Sequence, residues 1–201
     1  WVALSIGESA HLAPDPLKIV GRLPLASPGQ LADLYDLRFD DILDYLEELG
    51  ERLAINTNEH MQRARELTYD ATPLPRALVD MGYGGFSTFF ARDKMRQIAE
   101  KGVGLDYLEG WVEHRLIDGV IIKVRAFGSR GLHIVAGNGP GLGLITLARS
   151  AVTRSDCIIK APSNDPFTSA ALGMTMCDMA PDHPITRHFA VAYWRGGDAA
   201  V

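Results

Sequence analysis

Apolar positions in the first half of the chain return at helical intervals. From Gln30 onward Leu31, Leu34, Leu37, Ile42, Leu46 and Leu49 recur every few residues with Asp and Glu between them, a pattern that predicts an amphipathic helix, or two helices meeting near Phe39. Further helical segments are expected from about Glu51 to Thr68, after Pro73, and from Ser87 to Glu100. Ahead of them, Val2–Ile6 and Leu17–Leu25 are apolar but interrupted by Pro14, Pro16, Pro24 and Pro28, which suits short extended pieces.

The period changes at Leu116. β-branched residues flank the Asp118-Gly119 turn signal and predict a hairpin or a pair of strands. Then follow a short apolar run at Leu132–Ala136, a loop from Gly137 to Gly143, a helix at Leu144–Val152, a strand at Asp156–Lys160, a helix at Pro166–Met179 and a strand at Phe189–Trp194. Strand, helix, strand, helix, strand in that order indicates consecutive βαβ units and therefore a parallel sheet. Ligands of such sheets bind at the carboxyl ends of the strands. The expected fold class is α/β. A helix-rich region with a hairpin, residues 1–130, is expected to form one domain with a βαβαβ core, residues 131–201.

Composition narrows the function. The 201 residues are 47% hydrophobic and 22% charged, as in an ordinary water-soluble protein. A net charge of -5 argues against nucleic acid, whose phosphates require clustered Lys and Arg. Neither a long apolar run nor a secretory leader stands in the sequence, so no membrane span and a cytoplasmic location are expected. Cys157 and Cys177 make no disulfide framework, and no metal site is expected around them. The chain starts at Trp1 without a methionine and stops soon after Gly196-Gly197, so a fragment is the expectation.

Two motifs carry chemistry. Ala136-Gly137-Asn138-Gly139-Pro140-Gly141-Leu142-Gly143 joins a strand to a helix. Glycines let the backbone approach a ligand, and the helix N-terminus offers unpaired N–H groups and partial positive charge. The spacing departs from the dinucleotide fingerprint Gly-x-Gly-x-x-Gly, and a merely tight turn accounts for it equally well. The second motif is Cys157-Ile158-Ile159-Lys160-Ala161-Pro162-Ser163, in which a lysine ends a buried strand, where it can meet ribose hydroxyls or phosphate, or simply reach water. Asp165 and Pro166 read as the start of the next helix.

Together with Asn164-Asp165-Pro166-Phe167-Thr168, Asp182-His183-Pro184-Ile185-Thr186-Arg187 and Tyr193-Trp194, these motifs resemble, in order, the fatty acyl-CoA reductases of bacterial luminescence systems, members of the aldehyde dehydrogenase superfamily. The resemblance implies a Rossmann-like sheet and reduction of a fatty acyl-CoA or acyl thioester to aldehyde through a thioacyl-enzyme. It also implies either a homo-oligomer or acyl-transferring partner subunits. Under it, Gly137-Asn138 take the place of the superfamily's Trp-Asn pair, making Asn138 the candidate oxyanion donor. Gly137, Gly139, Lys160, Pro162, Ser163, Gly196 and Gly197 become cofactor-binding candidates. Ser163 stands where NAD-preferring members carry a glutamate, and loss of that carboxylate tilts the cofactor toward NADPH.

The nucleophile does not carry over. Cys157 lies in an apolar strand and Cys177 in an apolar helix, so both are expected to be buried and inert, with the catalytic cysteine and base beyond this chain. A non-catalytic nucleotide-binding or assembly module is the rival reading. Tyr83-Gly84-Gly85-Phe86 reads either as a flexible loop near an acyl site or as a helix-to-helix connection.

Overall fold

A computed structural model describes residues 1–6, 9–19 and 28–194. β1 (Val2–Ile6) and β2 (Ser9–Ala13) pair antiparallel, with Val2 opposite Ala13. Beyond them the chain is helical at α1 (Pro16–Ile19), where extended backbone was expected. The Asp15 carboxylate accepts from the Leu17 N–H at 3.1 Å, and Pro16 is suited to the first helical position, where no N–H is needed. Residues 20–25 of that expected extended stretch lie outside the described residues.

The periodic stretch from Gln30 is two helices, α2 (Ala32–Tyr35) and α3 (Phe39–Arg52). Phe39, Ile42, Leu43, Leu46 and Leu49 share one face of α3 and are all buried. At about 1.5–3 kcal/mol for each fully buried large side chain, this stripe is a major part of what holds the helix in place. A single helix from Glu51 to Thr68 does not form. The chain turns at 53–58 and restarts as α4 (Glu59–Ala71) because Asn58 caps it. Asn58 Oδ1 accepts from the Met61 N–H at 2.8 Å, while its Nδ2 donates to the Arg52 carbonyl at 2.8 Å and to Thr175 Oγ1 at 2.9 Å.

α5 (Arg76–Gly84), a 3-10 turn at Phe86–Thr88, α6 (Arg92–Gly102) and the short α7 (Leu105–Glu109) complete the helical region. The acidic outer face of α3 is paired: Arg92 and Arg96 of α6 reach Asp40 at 3.0 and 2.9 Å, and Arg92 also binds Asp44. β3 (Val112–Arg115) and β4 (Ile121–Val124) form the hairpin expected around Asp118-Gly119, with Gly119 at φ 86°.

The α/β pattern of the second half holds. β5 (Arg130–Ile134), α8 (Leu142–Val152), β6 (Asp156–Lys160), α9 (Thr168–Met179), α10 (Pro184–Arg187) and β7 (Phe189–Ala192) follow one another. The strands lie parallel in the order β5-β6-β7. Register aligns Ile134, Lys160 and Ala192 at one end. At the other end His188 is buried between two carboxylates, with one ring nitrogen 2.9 Å from Asp156 and the other 2.9 Å from Asp33 of α2. β6 is buried along its length, as a central parallel strand should be.

One cysteine departs from expectation. Cys157 is buried, but Cys177 is exposed, because α9 packs through Ala171, Leu172, Thr175 and Met176 and turns Met174, Cys177 and Asp178 outward. The apolar composition of this helix hid which face was inside.

The helical region and the sheet are joined by Arg154, a buried residue at φ 54° just after α8. Its Nε and Nη2 donate to the Leu37 carbonyl at 3.0 and 2.9 Å, and its Nη1 to the Leu108 carbonyl at 2.8 Å. Nη2 also binds the Glu109 carboxylate. Arg154→Ala leaves the Leu108 carbonyl buried without its donor, the Leu37 carbonyl half-buried without its own, and a cavity behind, and the expected loss is about 3–5 kcal/mol. Arg154→Lys keeps the charge but cannot reproduce the fork, so it recovers only part of that. Urea unfolding of the two variants measures both effects, and a loss below about 1 kcal/mol for Arg154→Ala would refute the role.

Candidate functional site

The aligned carboxyl ends of β5, β6 and β7 carry most of the residues singled out from sequence. Val135 N–H donates to the Lys160 carbonyl at 3.2 Å and Ala161 N–H to the Ala192 carbonyl at 2.9 Å, so the strands end in step before their loops diverge. The Gly137–Gly143 loop leaves β5 here and enters α8. Gly141 precedes the helix at φ 92° with no side-chain cap; the Leu144 N–H turns back to the Gly141 carbonyl at 2.9 Å, so the open N–H groups at the start of α8 are those of Leu142 and Gly143.

The glycines divide by what a side chain would meet. At Gly137 a Cβ would overlap Asn164, whose Nδ2 donates to the Gly137 carbonyl and ties the β5 and β6 loops together. At Gly141 it would press on the Phe86 ring, and at Gly143 on Ser169. At Gly139 it would meet nothing within 4 Å. Three of the four glycines are therefore needed by the fold, and Gly139 is the one that faces open space. Asn138 beside it is exposed, with no side-chain hydrogen bond to a described residue.

The loop rests on the helical region. A Cβ on Gly82 of α5 would come within 2.9 Å of Pro140, and Phe86 lies under Gly141. Tyr83-Gly84-Gly85-Phe86 is thus a helix connection whose buried aromatics support the glycine loop. Tyr83 extends the support: its hydroxyl lies 2.7 Å from Thr168 Oγ1 and 3.1 Å from Thr68 Oγ1. Thr168 in turn donates through Oγ1, and at 3.2 Å through its N–H, to Asp165. The helix start expected at Asp165 and Pro166 falls two residues later: Phe167 is the N-cap of α9 and Thr168 its first residue, and Asp165 instead closes the turn ahead of it by accepting the Thr168 N–H. Burial pushes its carboxyl up to about 6, with the Thr168 hydrogen bonds acting in the other direction.

Lys160 is 7% exposed, and no carboxylate of a described residue forms an ion pair with it. Its Nζ instead lies 5.6 Å from the centroid of the Tyr193 ring and 5.8 Å from that of Trp194. Burial pushes its pKa below the ordinary lysine value. Pro162 is buried; Ser163 is exposed and accepts from the Tyr193 hydroxyl at 3.4 Å. Gly137, Asn138, Gly139, Lys160, Pro162 and Ser163 thus lie at one sheet edge, while Gly196 and Gly197 lie outside the described residues. Sequence reasoning missed the parts played by Asn164, Phe86 and Tyr83. The aromatic pair was quoted only as part of a resemblance. His183 is a helix cap: its Nδ1 accepts from the Ile185 N–H at 3.2 Å and its ring stacks on Tyr45.

This arrangement offers an ammonium, open N–H groups at a helix start and an unobstructed glycine, which suits a phosphate-bearing ligand lying across the strand ends. The cysteines stand apart from it. Burial pushes the Cys157 thiol up to about 11, which keeps it protonated at neutral pH. Cys177 is nine residues past the start of α9, about 13 Å along the helix and away from this edge.

A family model described as acyl-CoA reductase (LuxC) matches residues 34–201. A long-chain acyl-protein thioester reductase of Photorhabdus laumondii is 31% identical over 197 residues, covering 89% of this chain and 38% of that protein. A protein of the same name from Photorhabdus luminescens is 30% identical over 189 residues, 86% of this chain and 37% of the relative. Another, from Vibrio harveyi, is 44% identical over 72 residues, 35% of this chain and 15% of its own length. The chain spans less than two-fifths of the length of these relatives.

Two outcomes test the site's construction. Gly141→Ala, forced to positive φ against the Phe86 ring, should cost about 1–3 kcal/mol, whereas Gly139→Ala should leave the denaturant midpoint within experimental scatter. Equal destabilisation by the two would undo the division between glycines packed against the fold and the one that faces open space. Asp165 makes stability depend on pH. Its folded pKa of about 6 lies above the ordinary 3.8, so the folded state holds the proton more tightly. The resulting stability is fully present below about pH 4 and lost as pH rises through about 6, by an amount on the order of 3 kcal/mol. Unfolding measured from pH 4 to 7 should show this decline in the parent and a flatter profile in Asp165→Asn.

Proposed function

The chain belongs to the acyl-CoA reductase (LuxC) family, and we propose that it forms the NADPH-binding part of an enzyme that reduces a fatty acyl-CoA or other acyl thioester to the aldehyde. In this reading the βαβαβ core and the helical region form one nucleotide-binding domain of the aldehyde dehydrogenase type. The observation that carries it is Lys160, a lysine with a buried side chain at the strand edge and no carboxylate partner among the described residues, at the same sheet edge as a glycine that faces open space. The names of the relatives support acyl thioester reduction.

Each residue has a task. Gly139 and the open N–H groups of α8 receive the cofactor's phosphates, while Gly137 holds the loop against Asn164 so that this approach stays clear. Lys160 and Ser163 bind the adenosine ribose and its 2′-phosphate, and Pro162 fixes the turn between them. Asn138, exposed beside Gly139, donates its side-chain amide to the thioester or hemithioacetal oxygen as negative charge develops there. NADPH, when bound, supplies the hydride that reduces the thioester carbon. The thioacyl link is made on a cysteine and helped by a base outside these 201 residues, since Cys157 is protonated and enclosed and Cys177 lies far along α9. A homo-oligomer or acyl-transferring partner subunits, and a cytoplasmic location, belong to the same proposal. Among the described residues no helix is long and apolar enough to cross a membrane.

Titration calorimetry of NADPH into the full-length protein tests the reading. Lys160→Ala should weaken binding by about 1–3 kcal/mol, and the parent should bind NADPH more tightly than NADH. Unchanged NADPH affinity in that variant would remove Lys160 from the site.

A further inference from the structure

Lysine is seldom buried, and when it is, a carboxylate generally pairs with it, because desolvating an ammonium without compensation is costly. Most of the Lys160 side chain is buried, and the charge at its tip has other neighbours. Its Nζ lies 5.6 Å from the Tyr193 ring centroid and 5.8 Å from that of Trp194, within the range at which the negative face of an aromatic ring attracts a cation. A carboxylate would occupy the ammonium's N–H donors. Aromatic faces offset the charge and leave those donors available to a ligand. Tyr193 and Trp194 directly follow β7, and Ala192 pairs with Lys160 across the sheet, so strand register brings the rings to the lysine.

Tyr193 also reaches the second polar group at this edge. Its hydroxyl donates to Ser163 Oγ at 3.4 Å. A serine hydroxyl that accepts from a neighbour keeps its own proton for a further acceptor, so Tyr193 sets Ser163 up as a donor. A ribose hydroxyl can both donate and accept and has little preference for such a partner. A phosphate monoester presents only acceptor oxygens and negative charge, matching an ammonium and a donating serine together.

We propose that Tyr193, with Trp194, is a positioning residue that commits Lys160 and Ser163 to donate to the 2′-phosphate of the dinucleotide, so that the aromatic pair after β7 sets the choice between the phosphorylated and unphosphorylated cofactor. This rests on the nucleotide-binding reading above. It adds that selectivity resides in a tyrosine hydroxyl and two ring faces as well as in the absence of an acidic residue.

The test is calorimetry on the full-length protein with two probes, 2′,5′-ADP and 5′-AMP, which differ only in the 2′-phosphate. The parent binds 2′,5′-ADP more tightly. Tyr193→Phe keeps the ring over Lys160 and removes the hydroxyl, so affinity for 2′,5′-ADP falls about tenfold while that for 5′-AMP stays within twofold. Ser163→Ala gives the same selective loss, and the double variant loses no more than either single one, a non-additivity that a merely structural role would not produce. Tyr193→Leu, lacking the ring as well, weakens 2′,5′-ADP further than Tyr193→Phe. The proposal is overturned if Tyr193→Phe weakens both probes equally or neither, if its effect adds in full to that of Ser163→Ala, or if the parent binds 5′-AMP as tightly as 2′,5′-ADP. In that last case the nucleotide-binding reading survives, whereas a parent that binds neither probe overturns both.

Discussion

The fold depends on a guanidinium placed where two helices run out of hydrogen-bond partners. A helix leaves its last carbonyls unpaired and partly negative, and burying such an end is costly unless a donor meets it. Leu108 lies in the last turn of α7 and Leu37 follows α2, and Arg154 donates to both carbonyls while binding Glu109. No other side chain presents five donors in a plane that can serve three acceptors at once. The backbone at Arg154 is left-handed, a conformation that costs a non-glycine residue about 1–2 kcal/mol, and the hydrogen bonds of the side chain offset it. Gly128 packs so closely on the Thr153 and Arg154 carbonyls that a Cβ there would overlap them, and its own carbonyl accepts from Tyr35 at 2.8 Å. The entry to the sheet is thereby held against the helical region from two sides.

That attachment matters because the glycine loop is shaped from outside the sheet. Phe86 and Gly82 belong to the helical half, yet they set the path of Pro140 and Gly141. The hydroxyl chain from Thr68 through Tyr83 to Thr168 and Asp165 fixes the start of α9 to α4 and α5. The two halves therefore act as one scaffold, and the sheet edge inherits its geometry from residues far away in sequence.

Much of this was legible in the sequence. The βαβαβ order, the span of β6 and the hairpin at Asp118-Gly119 all follow from period and turn chemistry, which are local, and the same period left the Gln30 stretch as one helix or two meeting near Phe39. The strand-end lysine and the glycine loop were legible for the same reason. What stayed hidden was tertiary. Nothing in a helix composed mainly of Ala, Met, Thr and Leu says that Cys177 faces water, since almost any of its faces could be buried. Asn58 stops a helical pattern because it also finds Thr175, 117 positions away. Lys160's ring partners depend on strand register, which no spacing rule supplies.

The contacts around the glycine loop also limit how such a sequence can drift. Gly82 with Pro140, Phe86 with Gly141, Asn164 with Gly137, and Ser169 with Gly143 are four pairs in which one partner leaves no room for a side chain on the other. In all four pairs the members come from different elements or loops. A larger residue on one side can become established only after a smaller one appears opposite. Substitutions here should thus arrive as ordered couples, and the glycines should be inherited along with their neighbours rather than one by one.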